Sequence, residues 1–211
     1  MGTKNRLLGI PALFDGDYIT RLPEDYFLGN GIHTCSLCDG IFYKDKIVGV
    51  VGGGNGAITE ALYLSDICRK VIIFQNLETL TADQSLIDST SKKENVEIVC
   101  GVIPKNYIYS NLGKPTLKGL TVEKNEETKL YIVDGVFLSI GVIPNTEIFR
   151  KVALLDSGRF IKTDDKMQTA GFIHGLYACG DCTDGKIKQV TTACGQATIA
   201  AKSVIEYIDK L

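Results

Sequence analysis

KIVGVVGGGNGAITEALYLSDIC, residues Lys46 to Cys68, decides the fold. It opens on a short β-branched run, Lys46 to Val51, and the glycines follow directly. Ala57, Ala61, Leu64 and Cys68 then recur at helical spacing, with Ile58 and Leu62 widening the same face. Val71 to Phe74 (VIIF) reads as a second buried strand. Strand, glycine turn, helix and strand make one βαβ unit. Gly52, Gly54 and Ala57 fit G-x-G-x-x-A. The first glycine permits the tight turn, the second lets backbone approach a pyrophosphate, and the small third residue lets helix and strand pack closely. The helix N-terminus supplies N–H donors and a positive dipole end. With Asn55, these residues are the candidates for holding a dinucleotide. The bland alternative is the same fold retained around an empty site.

The end of the second strand bears on that choice. An NAD site usually places Asp or Glu there for the ribose hydroxyls, and an NADP site places Arg nearby. Here the strand ends Phe74-Gln75-Asn76-Leu77, the nearest carboxylate is Glu78, and no Arg lies between Arg69 and Arg150. The phosphate turn is present without its specificity partner.

Upstream of the turn stands Cys35-Ser-Leu-Cys38, followed at once by Asp39. Two thiols at this spacing close into a disulfide and reopen, and a C-x-x-C setting commonly lowers a cysteine pKa. One sulfur attacks a substrate disulfide and the other resolves the mixed disulfide. Asp39 is placed to serve as general acid to the leaving thiolate. The competing reading is half of a zinc site, since Cys179 and Cys182 form a second pair. About 140 residues separate the pairs, against roughly 15–20 in a zinc ribbon, so no residue is assigned to a metal. Cys68 and Cys100 read as buried core thiols. His33, two residues before the dithiol, reads as an exposed loop histidine; His174, in a Gly-rich turn, has no evident partner.

Composition narrows the function classes. The chain has 211 residues, 45% hydrophobic and 23% charged, with a formal net charge of −2. That gives no electrostatic case for nucleic acid or an anionic membrane. No apolar run approaches the roughly 20 residues of a membrane span. Met1 to Leu8 is polar and basic, without the apolar core of a signal peptide. Seven cysteines without such a leader fit a cytoplasmic chain of mostly reduced thiols.

Farther along, a helix is expected from about Ala82 to Ser91 and a strand over Val96 to Val102. Between Pro104 and Leu138, alternating segments at Gly119 to Glu123 and Lys129 to Val133 read as a small antiparallel meander. Gly135 to Ile140 returns as a buried strand, ended by Gly141 to Asn145. Phe160-Ile161 and Leu176 to Ala178 read as brief strands. A long helix closes the chain, with Ala197, Ala201, Val204, Ile208 and Leu211 on one face. Ala12 to Asn30, carrying Tyr18, Tyr26 and Phe27, reads as a surface loop in preference to a contact surface.

Several blocks together resemble thioredoxin reductase of the low-molecular-weight type. They are GIHTCSLCDG (Gly31 to Gly40), Phe42-Tyr43-Lys44, VVGGGNGA (Val50 to Ala57), EALYLS (Glu60 to Ser65), Pro144 to Glu147, TDDKMQT (Thr163 to Thr169), GLYACGD (Gly175 to Asp181) and QVTTACGQATIAA (Gln189 to Ala201). The resemblance implies electrons passing from NADPH through FAD to Cys35 and Cys38 and on to a thioredoxin-like protein, with Asp39 as proton donor. It implies that Gly180 and Asp181 hold the ribityl-phosphate side of the flavin, and that Gln189 and Val190 approach its ring. Three departures accompany it. GTKNRLLGIP (Gly2 to Pro11) resembles the stretch just past the family's flavin-binding half, so that half is expected to be missing. The His-Arg-Arg motif and a later Arg, which grip the NADPH 2′-phosphate, fall at Gln75, Asn76, Leu77 and Thr81. Ala12 to Asn30 is longer than the family's connector.

The expected fold is α/β: a three-layer Rossmann-like FAD/NAD(P)-binding domain with a small antiparallel meander, plus fragments of an incomplete flavin domain. The expected segments are 1–30, a flavin-domain remnant and connector; 31–160, the nucleotide domain carrying the dithiol; and 161–211, a further piece of the flavin domain. The expected function is a thioredoxin reductase-like disulfide oxidoreductase, or one part of it. FAD is its cofactor, in a site completed by a flavin-domain polypeptide or a homodimer, and NAD(P)H binds weakly with little preference for NADPH. The alternative is a non-catalytic remnant or interaction subunit with a degenerate nucleotide site.

Overall fold

In strand after strand of the first half, residues on both sides of the backbone are apolar, as a sheet covered on both faces demands. The computed structural model describes residues 3–14, 17–110, 114–185 and 187–211, so Met1 and Gly2 of the basic N-terminus lie outside it. The elements are β1 (Thr3–Asn5), β2 (Ala12–Phe14), β3 (Asp17–Leu22), β4 (Ile32–His33), α1 (Ser36–Asp39), β5 (Ile47–Val51), α2 (Asn55–Ser65), β6 (Lys70–Gln75) and α3 (Gln84–Ser91). There follow β7 (Val96–Cys100), β8 (Ile103–Ser110), β9 (Thr116–Lys124), β10 (Glu127–Ile132), β11 (Gly135–Leu138), β12 (Val142–Pro144) and α4 (Val190–Ile208). They fall into two compact units. One is Arg6–Gly141; the other joins Met1–Asn5 to Val142–Leu211.

The larger unit is Rossmann-like. Its parallel sheet runs β4-β11-β5-β6-β7. The chain leaves β5 through α2 toward β6, while β11 flanks β5 on the other side. The crevice between β5 and β11 is therefore the switch point at which such sheets bind ligands. Val48, Val50, Val71 and Ile73 pack under Ala57, Ile58, Ala61, Leu64 and Cys68. Val51, Ile72, Phe74, Val136 and Leu138 meet Tyr107, Leu120, Val122 and Val133 of the antiparallel layer. Burying each large side chain contributes roughly 1.5–3 kcal/mol. Leu64 holds two layers at once: a Cβ added at Gly40, directly after α1, would lie 2.9 Å from its Cδ2. Truncating Leu64 to Ala costs about 2–5 kcal/mol on general grounds.

The antiparallel layer is larger than the sequence led us to expect. Its order is β10-β9-β8-β2-β3, so the Ala12 to Asn30 segment supplies two strands and is no mere surface loop. Phe27 is fully buried and stacks on Tyr109 at 4.0 Å between centroids. The Tyr107 hydroxyl donates to Glu24, whose other oxygen accepts from the Gly9 amide at 2.7 Å. These side chains tie the segment to the layer.

In the smaller unit β1 pairs antiparallel with β12. The two brief strands expected there reduce to isolated bridges, Leu155 to Ile161, Ile161 to Thr183 and Gln168 to Tyr177. Helix α4 forms, but Ala200 and Ser203 are its buried residues. Ala197, Ala201, Ile208 and Leu211 of the expected inner face are exposed. Among the described residues no helix is long and apolar enough to cross a membrane.

Candidate functional site

Cys35 and Cys38 are joined as a disulfide with Cα atoms 5.3 Å apart. The bond sits on the one-turn helix α1, where extended Cys35 is the N-cap and the Cys38 amide donates to its sulfur at 3.2 Å. Three exposed apolar side chains, Leu37 (60%), Ile41 (58%) and Phe42 (70%), belong to this same stretch. Asp39, a third exposed (34%), ends the helix.

His33 corrects the sequence reading. It is 5% exposed, not a solvated loop residue, and its ring stacks on Phe137 at 5.1 Å. Its Nδ1 lies 2.8 Å from Asp39 Oδ2, and its Nε2 lies 2.7 Å from the Tyr43 hydroxyl. Burial, followed by the nearby Asp39 charge, pushes the Tyr43 phenol up to about 12. Tyr43 therefore keeps its proton, and His33 links its hydroxyl, through Nε2, to the Asp39 carboxylate, through Nδ1. This chain fixes which way the carboxylate beside Cys38 points. Gly135 makes room for it, since a Cβ there would fall 2.3 Å from the Tyr43 ring.

At the glycine turn, Gly52 has φ +131° and a Cβ on it would meet the Ser139 carbonyl at 2.4 Å, so only glycine serves. Gly54 caps α2, Asn55 begins it, and Ala57 packs below. The backbone thus fits a pyrophosphate. The side chains around it do not. Gln75 is buried, and a Cβ on Gly53 would lie 2.4 Å from its amide, which donates to the Thr79 carbonyl at 3.3 Å. The Thr81 amide and hydroxyl both reach the Gly53 carbonyl, at 2.8 and 3.3 Å. Asn55 Nδ2 donates to Asp83 at 2.9 Å, and the Asp83 amide donates back to Asn55 Oδ1 at 2.7 Å. A carboxylate is thereby held beside the helix start that would face the phosphates, and Gln75 to Asp83 contains no Lys or Arg.

Glu60, one turn deeper in α2, is a residue that sequence reasoning passed over. It bonds to the Ser139 side chain, while its Oε2 is enclosed without a partner. Burial raises its carboxyl to about 7. The available signal was a Glu on the helix face turned toward the end of β11.

In the smaller unit Gly180, with φ +82°, donates its amide to Gln196 Oε1 at 2.7 Å. The Asp181 carbonyl accepts from Lys188 Nζ at 3.1 Å. Gln189 is the N-cap of α4, and Val190, its first residue, stands almost fully exposed. A carboxylate, a helix N-terminus and an apolar side chain thus share one corner. That donor set suits the polar chain and the ring edge of a flavin.

A family model described as pyridine nucleotide-disulphide oxidoreductase matches residues 1–197. The chain is 34% identical over 216 residues to the thioredoxin reductase of Coxiella burnetii, covering all of this chain and 64% of that protein. It is also 34% identical over 223 residues to a Pseudomonas fluorescens protein named glucosaminate ammonia-lyase, covering all of this chain and 63% of that one. Among solved structures, the thioredoxin reductase of Streptococcus pyogenes matches with a TM-score of 0.82 at 29% identity, over 100% of this chain and 64% of that one. The chain therefore spans less than two thirds of the length of these relatives.

Proposed function

The chain belongs to the pyridine nucleotide-disulphide oxidoreductase family, and from that membership we propose that Cys35 and Cys38 reduce the disulfide of a thioredoxin-like protein. In the reduced state one of these sulfurs, as thiolate, attacks a sulfur of the substrate disulfide and breaks that bond. The departing thiolate takes a proton, which Asp39 is placed to carry. The second cysteine, as thiolate, attacks the mixed disulfide, and the other substrate thiolate leaves and is protonated. Two electrons move from the dithiol to the substrate, and Cys35–Cys38 is again a disulfide. The apolar side chains of Leu37, Ile41 and Phe42 offer a rim on which a protein partner can desolvate. An FAD held at Asp181 and the start of α4 would supply the electron pair that reopens the disulfide.

The observation that carries this reading is the disulfide itself, on an exposed helical turn whose adjacent carboxylate is oriented by His33 and Tyr43. It is tested in a single turnover. The chain is reduced, desalted and mixed with an oxidised thioredoxin, and the thiols of each protein are counted by alkylation and mass. One substrate disulfide should open per Cys35–Cys38 formed, and Cys35→Ser or Cys38→Ser should stall the exchange or trap a mixed disulfide. A thioredoxin left oxidised by fully reduced chain refutes the proposal.

A second reading is favoured by Asp83. With a carboxylate at the phosphate seat, the chain serves as a dithiol-bearing or interacting subunit that draws nothing from a pyridine nucleotide.

A further inference from the structure

Cys179 and Cys182 take no part in the reaction proposed above. They lie in the smaller unit, on the turn that Gly180 makes with its positive φ. Both cysteines line one cavity of about 220 Å³, whose remaining walls include Phe149, Ile161 and Leu176. The Cys182 thiol donates to the Cys179 carbonyl at 3.4 Å, so the second cysteine is already folded back onto the backbone of the first. The turn is held from three sides. The Thr183 amide donates to the Gly180 carbonyl at 3.0 Å. Gly180 itself donates to Gln196 on α4. Lys188 Nζ bonds the Asp181 and Thr183 carbonyls at 3.1 and 2.5 Å while its charge sits 4.1 Å from the centre of the Phe160 ring.

A metal does not account for the pair. Among the described residues no three His, Cys, Asp or Glu side chains come together as a metal site, and two thiols are half of what a structural zinc needs. Plain core packing does not account for it either. Both cysteines are only half-buried and border the same open space. What remains is the chemistry that Cys35 and Cys38 display at the same spacing.

We propose that Cys179 and Cys182 are a second thiol–disulfide couple, which closes across the Gly180–Asp181 turn on meeting a low-molecular-weight disulfide such as oxidised glutathione. Cys179, as thiolate, attacks one sulfur of the incoming disulfide. That S–S bond breaks, and one thiol departs with the proton Cys179 gave up. Cys182, as thiolate, then attacks the Cys179 sulfur of the mixed disulfide and expels the second thiol, which takes the Cys182 proton. Two protein thiols become one disulfide, one incoming disulfide becomes two thiols, and two electrons leave the protein. Cys182 is the resolving sulfur because its S–H is turned inward on the Cys179 carbonyl. Burial raises the Cys182 thiol, with the Lys188 charge offsetting only part of that rise, so Cys182 keeps its proton while Cys179 makes the first attack. The couple stands whether or not the smaller unit holds a flavin.

The test equilibrates the wild-type chain, and in parallel a Cys35→Ser/Cys38→Ser variant, in glutathione buffers. Acid quenching, alkylation and peptide mass mapping then read each thiol. The peptide carrying both cysteines should appear with two hydrogens lost and no label. At a fixed ratio of oxidised to reduced glutathione, diluting total glutathione tenfold should raise the linked-to-open ratio roughly tenfold, because closure releases two thiols for each disulfide consumed. In Cys182→Ser, Cys179 should accumulate as the glutathione mixed disulfide. The proposal is overturned by both thiols remaining alkylatable throughout, by a mixed disulfide in the wild-type chain that dilution does not change, by a link to Cys194, or by stoichiometric zinc.

Discussion

Replacing His33 with Phe tests whether Asp39 is oriented from behind. The substituted ring keeps the stacking on Phe137 and the edge contact with Tyr43, both near 5 Å, and loses two hydrogen bonds. On the Asp39 side, a carboxylate a third exposed regains water, so the loss there is about 0–1 kcal/mol. On the Tyr43 side a buried hydroxyl loses its hydrogen-bond partner, which costs about 1–3 kcal/mol. The variant should therefore be about 2 kcal/mol less stable than the wild type. Tyr43→Phe strands the His33 Nε2 instead, at a similar cost of about 1–3 kcal/mol. The double variant removes both partners and leaves nothing orphaned, so its loss should fall at least ~1 kcal/mol short of the sum of the singles. Urea unfolding of the oxidised proteins, at unchanged m-value, measures all three. Additive losses would refute the chain from Tyr43 to Asp39. So would a His33→Phe protein that reduces a thioredoxin in single turnover as fast as the wild type.

Three further outcomes are expected. Gly135→Ala places a Cβ 2.3 Å from the Tyr43 ring and should cost about 1–3 kcal/mol while slowing disulfide exchange; thermal melting showing no loss would mean that Tyr43 has room to move. The folded-state pKa of Glu60 is about 7 against an ordinary 4.5, so the folded protein binds more protons than the unfolded one between these values. Stability from this group is present at low pH and falls as pH rises toward 7, by about 3 kcal/mol in all. Glu60→Gln should flatten that slope between pH 5 and 8, and an unchanged slope in urea titrations would assign it to other groups. Asp83→Asn should tighten NADH and NADPH alike, by roughly two- to tenfold, because an anion leaves the start of α2. Calorimetry in which only one nucleotide gains would place Asp83 at the 2′-phosphate instead.

The range of the interactions decides which features are legible in the sequence. The β5–α2–β6 unit is local: an apolar run, glycines and a 3.6-residue period within one short stretch declare it. The dithiol is likewise local, since two cysteines and an aspartate need only a single helical turn. Strand β2, on which β3 pairs, escapes a sequence reading because a three-residue strand has no periodicity to show. Its identity comes from pairing with β8, far along the chain. His33 is misleading for the same reason. It pairs with Phe137 in the β4–β11 register, and the wall that buries it arrives only with β11. The α4 pattern does mark an apolar face, but periodicity names a face without naming what covers it. Asp83 carries no signal at all, because its effect depends on the loop from β6 folding back against Asn55.

The enclosure of His33 also provides an observation window that needs no label. The chain contains two histidines, and the other, His174, is exposed. Exchange with water should erase the ring N–H signal of His174, while the Nδ1 proton of His33, shielded and bonded to Asp39, persists far downfield in a proton NMR spectrum. That single resonance sits one hydrogen bond from the carboxylate that serves the dithiol. Its position should change when Cys35–Cys38 opens, giving a readout of redox state from inside the protein while the exchange proceeds.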